Sequence, residues 1–229
     1  MPKAYVLFSG GLDSTVCLAI ANKEHNGLVC AVSVNYGQRH QKELEAARSI
    51  IEHYNAASQV INLTSVMGKG GLTDPDMIVP EVDYSELIGV SPTYVPFRNG
   101  LMLSAITSIA AADPECTHIY FGAHADDAAG DAYPDCTLEF VGSMASAIFR
   151  GTYGKVRLVA PLLFNNKARN VEVGYKLEAP LQLSWSCYKG EEEHCGICST
   201  CRDRKKAFAA AGVKDLTYYA DEDYSGVPF

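Results

Sequence analysis

The sequence predicts an α/β fold, a parallel five-stranded sheet with helices on both faces. Short apolar runs alternate with helix-like segments along the first 160 residues or so. The runs are nearly all apolar, as in residues 29–34 (VCAVSV), which suits strands buried on both faces. A glycine-rich turn directly follows the first run.

Residues 5–8 (YVLF) open the sheet, and residues 14–24 follow as a helix. Residues 29–34 are the second strand. Over residues 40–54, Leu44, Ala47, Ile50, Ile51 and Tyr54 recur on one face, with Glu43, Glu45, Arg48 and Glu52 off it, which is helical periodicity. Residues 59–63, 118–121 and 156–159 supply the remaining strands. Residues 99–112 form a helix that is apolar almost all round and is expected to be buried. Between residues 63 and 97 the pattern fails, with glycines at 68, 70, 71 and 89 and prolines at 75, 80, 92 and 96. A loop of this length is expected to be a lid or a substrate-facing excursion, the alternative being a tolerated surface insertion.

The 229 residues suffice for one large α/β domain with a small annex. The expected division is an α/β domain over residues 1–180 and a C-terminal lobe and tail over 181–229. A net charge of −8 without a basic patch disfavours a nucleic-acid backbone as the main partner. No apolar run is long enough to span a membrane and no signal-peptide pattern opens the chain, so a cytoplasmic protein is expected.

Of the eight cysteines, Cys17, Cys30, Cys116 and Cys136 are scattered, whereas Cys187, Cys195, Cys198 and Cys201 fall within fifteen residues. In a cytoplasmic chain such a quartet argues for metal over disulfides. Two overlapping C-x-x-C hooks and one distal cysteine can close a tetrahedral S₄ site around a structural Zn²⁺, giving a small zinc-binding helical lobe. The same ligands accept an iron–sulfur cluster, and His194 is an alternative ligand. Lys189, Arg202, Arg204, Lys205 and Lys206 lie near enough in sequence to offset the thiolate charge.

The turn after the first strand reads Phe8-Ser9-Gly10-Gly11-Leu12-Asp13-Ser14. Ligands of open parallel sheets bind outside the carboxyl ends of the strands. Gly10 and Gly11 permit close backbone approach and positive φ. The unpaired N–H groups and dipole of the next helix favour an anion, and Ser9 and Ser14 add hydroxyl donors. These features describe a phosphate cradle. The Walker, dinucleotide-binding and nucleophile-elbow patterns are absent from this turn. Asp13 is repelled by phosphate unless Mg²⁺ lies between them, and otherwise caps the helix.

"SGGLDS" after a first strand resembles the PP-loop of the N-type ATP pyrophosphatases, a class with an adenine nucleotide alpha hydrolase-like fold. Five segments in order then resemble the 7-cyano-7-deazaguanine synthases, the QueC family: FSGGLDS (8–14), VNYGQRH (34–40), TYVPFRNG (93–100), GAHADDAAGDAYPDC (122–136) and WSCYKGEEEHCGICSTC (185–201). The resemblance covers nearly the whole chain. It implies that ATP adenylates the carboxylate of 7-carboxy-7-deazaguanine and that ammonia displaces AMP to give the amide. A second adenylation and loss of AMP then give the nitrile, which feeds queuosine.

The resemblance implies ATP binding by Phe8, Ser9, Gly10, Gly11, Leu12, Asp13, Ser14 and Lys167, with Mg²⁺. Asp13, Ser14, Arg98 and Lys167 are the expected catalytic residues. Arg98 suits a clamp on carboxylate or phosphate, and Lys167 can stabilise leaving pyrophosphate. The expected substrate residues are Tyr36, Arg39, His40, Arg98, Asn99, Tyr133 and Asp135, with Asp135 on the guanine-like donor edge and Tyr133 stacked on the ring. Asp126 and Asp127 either bind Mg²⁺ or occupy a polar loop. The resemblance also implies a homodimer.

Three positions depart from the family pattern: Phe97, Asp131-Ala132 and Arg169. They leave open a diverged enzyme that stops at the amide or joins the deazaguanine to another amine such as a protein terminus. A tRNA-thiolating enzyme on the same loop is the rival of another class.

Overall fold

The structure is a computed structural model that describes residues 1–38, 42–74, 76, 81, 89–129, 132–189 and 192–221. Five strands pair in the order β3-β2-β1-β4-β5: β1 (Ala4–Leu7), β2 (Val29–Asn35), β3 (Ala57–Asn62), β4 (His118–Tyr120) and β5 (Arg157–Val159). Every pairing is parallel, with Ala4 opposite both Val29 and His118. The α/β reading and all five strands are therefore borne out, with bounds shifted by one or two residues.

Seven helices connect and flank the strands among the described residues: α1 (Leu12–Glu24), α2 (Lys42–Tyr54), α3 (Arg98–Ala112), α4 (Ala125–Ala128), α5 (Leu138–Gly151), α6 (Lys167–Lys176) and α7 (Ser199–Ala211). Alternation along the strands sends side chains to two cores. Ala4, Val6, Val29 and Ala31 face a core shared with α1, α2, α6 and α7. Tyr5, Cys30, Val32 and Ile119 face a second core with α3 and α5. Cys17, Cys30, Cys116 and Cys136 are buried free thiols in these layers.

The helix over 99–112 is less buried than its composition predicts. Gly100, Leu103, Ile106 and Ala110 are covered, while Ser104 and Ser108 face solvent on the outer side of the layer. Much of the loop over 63–97 lies outside the described residues. Within it, Gly71–Thr73 forms a single 3₁₀ turn and Leu72 is buried.

The chain runs β1-α1-β2-α2-β3 on one side of β1 and then crosses to β4 on the other side. This reversal puts a topological switch point at the carboxyl ends of β1 and β4, where open α/β sheets take their ligands. Gly10 sits there at φ +87°, and a Cβ on it would lie 2.4 Å from the Glu43 carbonyl oxygen and 2.6 Å from the Ala47 nitrogen. Close packing of α2 against the turn thus requires glycine twice over. Gly10→Ala is expected to cost about 2–4 kcal/mol, read as a lower midpoint in urea at unchanged slope.

Candidate active site and metal centre

The glycine turn is tied together by its own hydrogen bonds. Gly11 N–H donates to Ser9 Oγ at 3.2 Å, Ser14 Oγ donates to the Gly11 carbonyl at 3.0 Å, and the two serine hydroxyls lie 3.1 Å apart. Opposite, at the end of β4, a Cβ on Gly122 would meet the Asp13 and Ser14 backbone at 3.4 Å, so two turns meet closely at the switch point. A cavity of about 210 Å³ opens between them, lined by the turn, by Tyr36 and Gln38 after β2, by Glu43 of α2 and by Arg98 and Asn99 of α3.

Asp13 is the hub of the polar network. Its Oδ1 accepts from Asn170 Nδ2 at 2.9 Å. Its Oδ2 lies 3.3 Å from His124 Nε2 and 3.8 Å from Lys167 Nζ. Burial alone would raise the Asp13 carboxyl, but the His124 and Lys167 charges reverse this and hold it well below the usual carboxylate range. His124 is 1% exposed, and its Nε2 stands 3.3 Å from Asp127 as well. Burial opposes its charge, yet the Asp127 and Asp13 carboxylates push its pKa up to about 9, so it is imidazolium at neutral pH. Among the described residues neither ring nitrogen makes an aligned hydrogen bond, and the two carboxylates face the ring at 3.3 Å.

Lys167 begins α6, whose N-cap Asn166 accepts from Arg169 N–H at 2.8 Å. Its backbone N–H donates to Asp126 at 2.7 Å, which gives Asp126 an anchoring role at the helix start. The ammonium pairs with Asp203 of α7 at 2.7 Å. Burial would lower its pKa, but Asp203, Asp13 and Asp127 together raise it well above the ordinary value.

Arg98 opens α3 and lines the cavity, its Nη1 donating to Tyr36 Oη at 3.4 Å. Phe97 before it is left-handed at φ +54°, and its ring covers Gly100, where a Cβ would meet it at 2.4 Å. The ring at 97 thus lies over the glycine three residues on, and a side chain there would push it aside. Arg169 turns outward to Glu172 at 2.5 Å, away from the cavity. Ala132 is buried, whereas Asp131 lies outside the described residues.

Two of the expected substrate residues are buried and are not among the residues that line the cavity. Asp135 is 4% exposed and its Oδ2 accepts from the Asn99 N–H at 2.9 Å, holding the start of α3. Tyr133 is 6% exposed, and its hydroxyl is bonded to Ser91 and Thr93. Arg39 and His40 lie outside the described residues. The structure brings together Ser9, Asp13, Ser14, Tyr36, Arg98 and Asn99 on one cavity, with Lys167 beside Asp13. Sequence reasoning missed His124, Asn170, Asp203, Glu43 and Tyr188. His124 had a signal, standing beside two aspartates at a strand end. Asp203 had none, because it comes from α7, far along the chain from Lys167.

The sulfurs of Cys187, Cys195, Cys198 and Cys201 all lie within 4.8 Å of one another and are buried, so the cluster can hold a metal ion. Tetrahedral Zn–S bonds of about 2.3 Å would set the sulfurs about 3.8 Å apart, close to the 4.0 Å between Cys195 and Cys201. Backbone N–H groups of Lys189 and Cys195 point at the Cys187 sulfur, and that of Cys198 at the Cys195 sulfur, as thiolates require. His194 stands outside the set. Its Nε2 accepts from Ser186 N–H at 3.0 Å, and burial lowers its pKa to about 4.

Three of the five basic residues expected to offset the thiolates pair with carboxylates. Lys189 pairs with Glu81, Lys205 with Asp221 and Arg204 with Asp215. The segment around Cys187 also reaches the cavity, because Trp185 N–H donates to the Gly10 carbonyl at 2.9 Å and Tyr188 forms part of the wall.

A glycine turn at the switch point of an all-parallel sheet, with a lysine and an arginine beside it, defines a PP-loop-like α/β fold. The model of the queuosine biosynthesis protein QueC matches residues 3–212, and the chain belongs to that family. It is 42% identical over 225 residues to a 7-cyano-7-deazaguanine synthase of Aliarcobacter butzleri, covering 96% of both chains. It is 43% identical over 232 residues to one from Thermoplasma volcanium, covering 96% of this chain and 92% of the relative. Among solved structures, the U34-tRNA thiolase NcsA from Methanococcus maripaludis with its [4Fe-4S] cluster matches at TM-score 0.51 and 18% identity. That match covers 91% of this chain and 67% of the thiolase, and it speaks for the fold alone. Among the described residues no helix is long and apolar enough to cross a membrane.

Proposed function

We propose that the chain is an ATP-dependent 7-cyano-7-deazaguanine synthase, converting 7-carboxy-7-deazaguanine and ammonia to the nitrile through an adenylate, an amide and a second adenylate. Family membership supports the reaction. The observation that carries it is the cavity itself, where a phosphate cradle and a cationic carboxylate clamp, Arg98, share one space. An adenylating enzyme must bring a carboxylate and ATP together, and only fixed positive groups make that approach favourable.

In this reading Gly10, Gly11, Ser9 and Ser14 hold the phosphates, and Phe8 and Leu12 belong to the same nucleotide wall. Arg98 holds the acceptor carboxylate, with Tyr36 and Asn99 beside it, and Lys167 takes up charge on departing pyrophosphate. Asp13 and Asp127 offer the hard oxygens that suit Mg²⁺. When bound, that ion neutralises phosphate charge. Structural Zn²⁺ in the cysteine cluster is the reading that four buried thiolates without an open position support best. We further infer a cytoplasmic homodimer that uses free ammonia and does not bind nucleic acid directly.

The test is mass spectrometry of a reaction with ATP, Mg²⁺, 7-carboxy-7-deazaguanine and ammonium. Nitrile and AMP are expected. Amide alone would point to the diverged enzyme that the Phe97 and Arg169 departures allow, and no AMP would overturn the reading. Metal analysis is expected to return one zinc per chain, and iron with sulfide would overturn that assignment.

A further inference from the structure

The cavity holds three carboxylates, Asp13, Glu43 and Asp127. Asp13 and Asp127 are held by His124. Asp135 is not among the residues that line the cavity, and its Oδ2 is taken by the Asn99 N–H. Glu43 is left. Among the described residues its carboxylate has no hydrogen-bond or ion-pair partner, although it lines the cavity from the first turn of α2. Its position is fixed by packing, because the α2 backbone at Glu43 and Ala47 closes directly on Gly10. Burial pushes its carboxyl up and the charge of Arg98 pulls it back, so the two opposite charges face a common space.

We propose that Glu43 is the specificity-determining residue for the acceptor, its two oxygens accepting from the adjacent ring N–H and exocyclic amine of a 2-amino-4-oxopyrimidine edge. This rests on the proposed reaction. A deazaguanine carrying a carboxylate has an anion at one end and two neighbouring donors at the other. Arg98 and Glu43 match these ends in sign, and the donor pair matches a carboxylate in bidentate fashion. Adenine is the competing occupant, but its corresponding edge offers one donor beside a ring acceptor that a carboxylate repels. A site built to bond a donor rejects the analogue lacking it, because the buried acceptor is then left unpaired.

The experiment compares 7-carboxy-7-deazaguanine with 7-carboxy-7-deazahypoxanthine, which lacks the amine, on the full chain and on Glu43→Gln. The native chain is expected to prefer the aminated substrate by about 10- to 100-fold in kcat/KM. Glu43→Gln is expected to lose most of that preference and to raise the KM for the aminated substrate by about 10- to 100-fold, with the KM for ATP within about twofold of native. Its thermal midpoint is expected to match the native one, since the carboxylate bonds nothing in the fold. Preserved discrimination in Glu43→Gln, or a penalty falling on ATP instead, would overturn the assignment while leaving the reaction intact. A native chain that consumes neither compound would overturn the proposed reaction and this assignment together.

Discussion

Arg204→Met is expected to destabilise the protein by about 3–5 kcal/mol, among the largest losses any single side chain here can produce. Arg204 and Asp215 are both fully buried, paired at 2.9 Å. The guanidinium also donates to Ser184 Oγ at 2.8 Å, the Leu181 carbonyl at 2.9 Å and Thr217 Oγ1 at 2.8 Å. Methionine keeps the volume and removes every one of these donors, leaving a buried carboxylate without its cation. For a chain of this size the loss corresponds to a midpoint lowered by about 6–20 °C.

Calorimetry at matched metal content checks this expectation, because Cys201 sits three residues before Arg204 and metal loss would mimic the effect. Adding Asp215→Leu should recover much of the loss, since apolar pairs replace buried ion pairs at little cost. The pH dependence has a defined sign. Burial would raise the Asp215 carboxyl, but Arg204 holds it below the usual range. Its contribution is therefore present above the unfolded carboxylate value of about 3.9 and is lost as pH falls through the lower folded value.

The sheet was legible in the sequence because buried parallel strands are written as short apolar runs, and because the glycine turn marks the end of the first. The cysteine cluster was legible because metal ligation demands close spacing, and 195-198-201 supplies it within two turns of chain. The cavity wall was legible only where a residue adjoins such a motif. Asp135 and Tyr133 stand in a family segment; in the fold Asp135 bonds the start of α3, and Tyr133 bonds Ser91 and Thr93, contacts that the segment itself does not announce. Glu43 read as the polar face of an amphipathic helix, and nothing local says that this face turns toward the cavity at its first turn. Asp203 reaches Lys167 only after α6 and α7 pack together, a contact that no pattern within either helix announces.

Lys167→Met is expected to lower kcat by about 10²- to 10³-fold with a much smaller change in the KM for ATP. The ammonium lies 3.8 Å from Asp13 and 2.7 Å from Asp203, held at the edge of the phosphate cradle by carboxylates from two parts of the chain. In the proposed reaction the glycine turn and the helix dipole hold the nucleotide in the ground state. Charge accumulates on the pyrophosphate oxygens as the bond to the α-phosphorus breaks, and a fixed cation there stabilises that later charge more than the earlier one. Single-turnover AMP formation separates the two effects, because a purely ground-state role would raise KM and spare kcat. Lys167→Arg keeps the charge but spreads it over a planar fork, and is expected to recover only part of the rate. Asp203→Asn, which loosens the lysine without removing it, should fall between native and Lys167→Met, with its loss in kcat rather than in KM. A result in which Asp203→Asn matches native while Lys167→Met is inactive would mean that the lysine finds its place without α7.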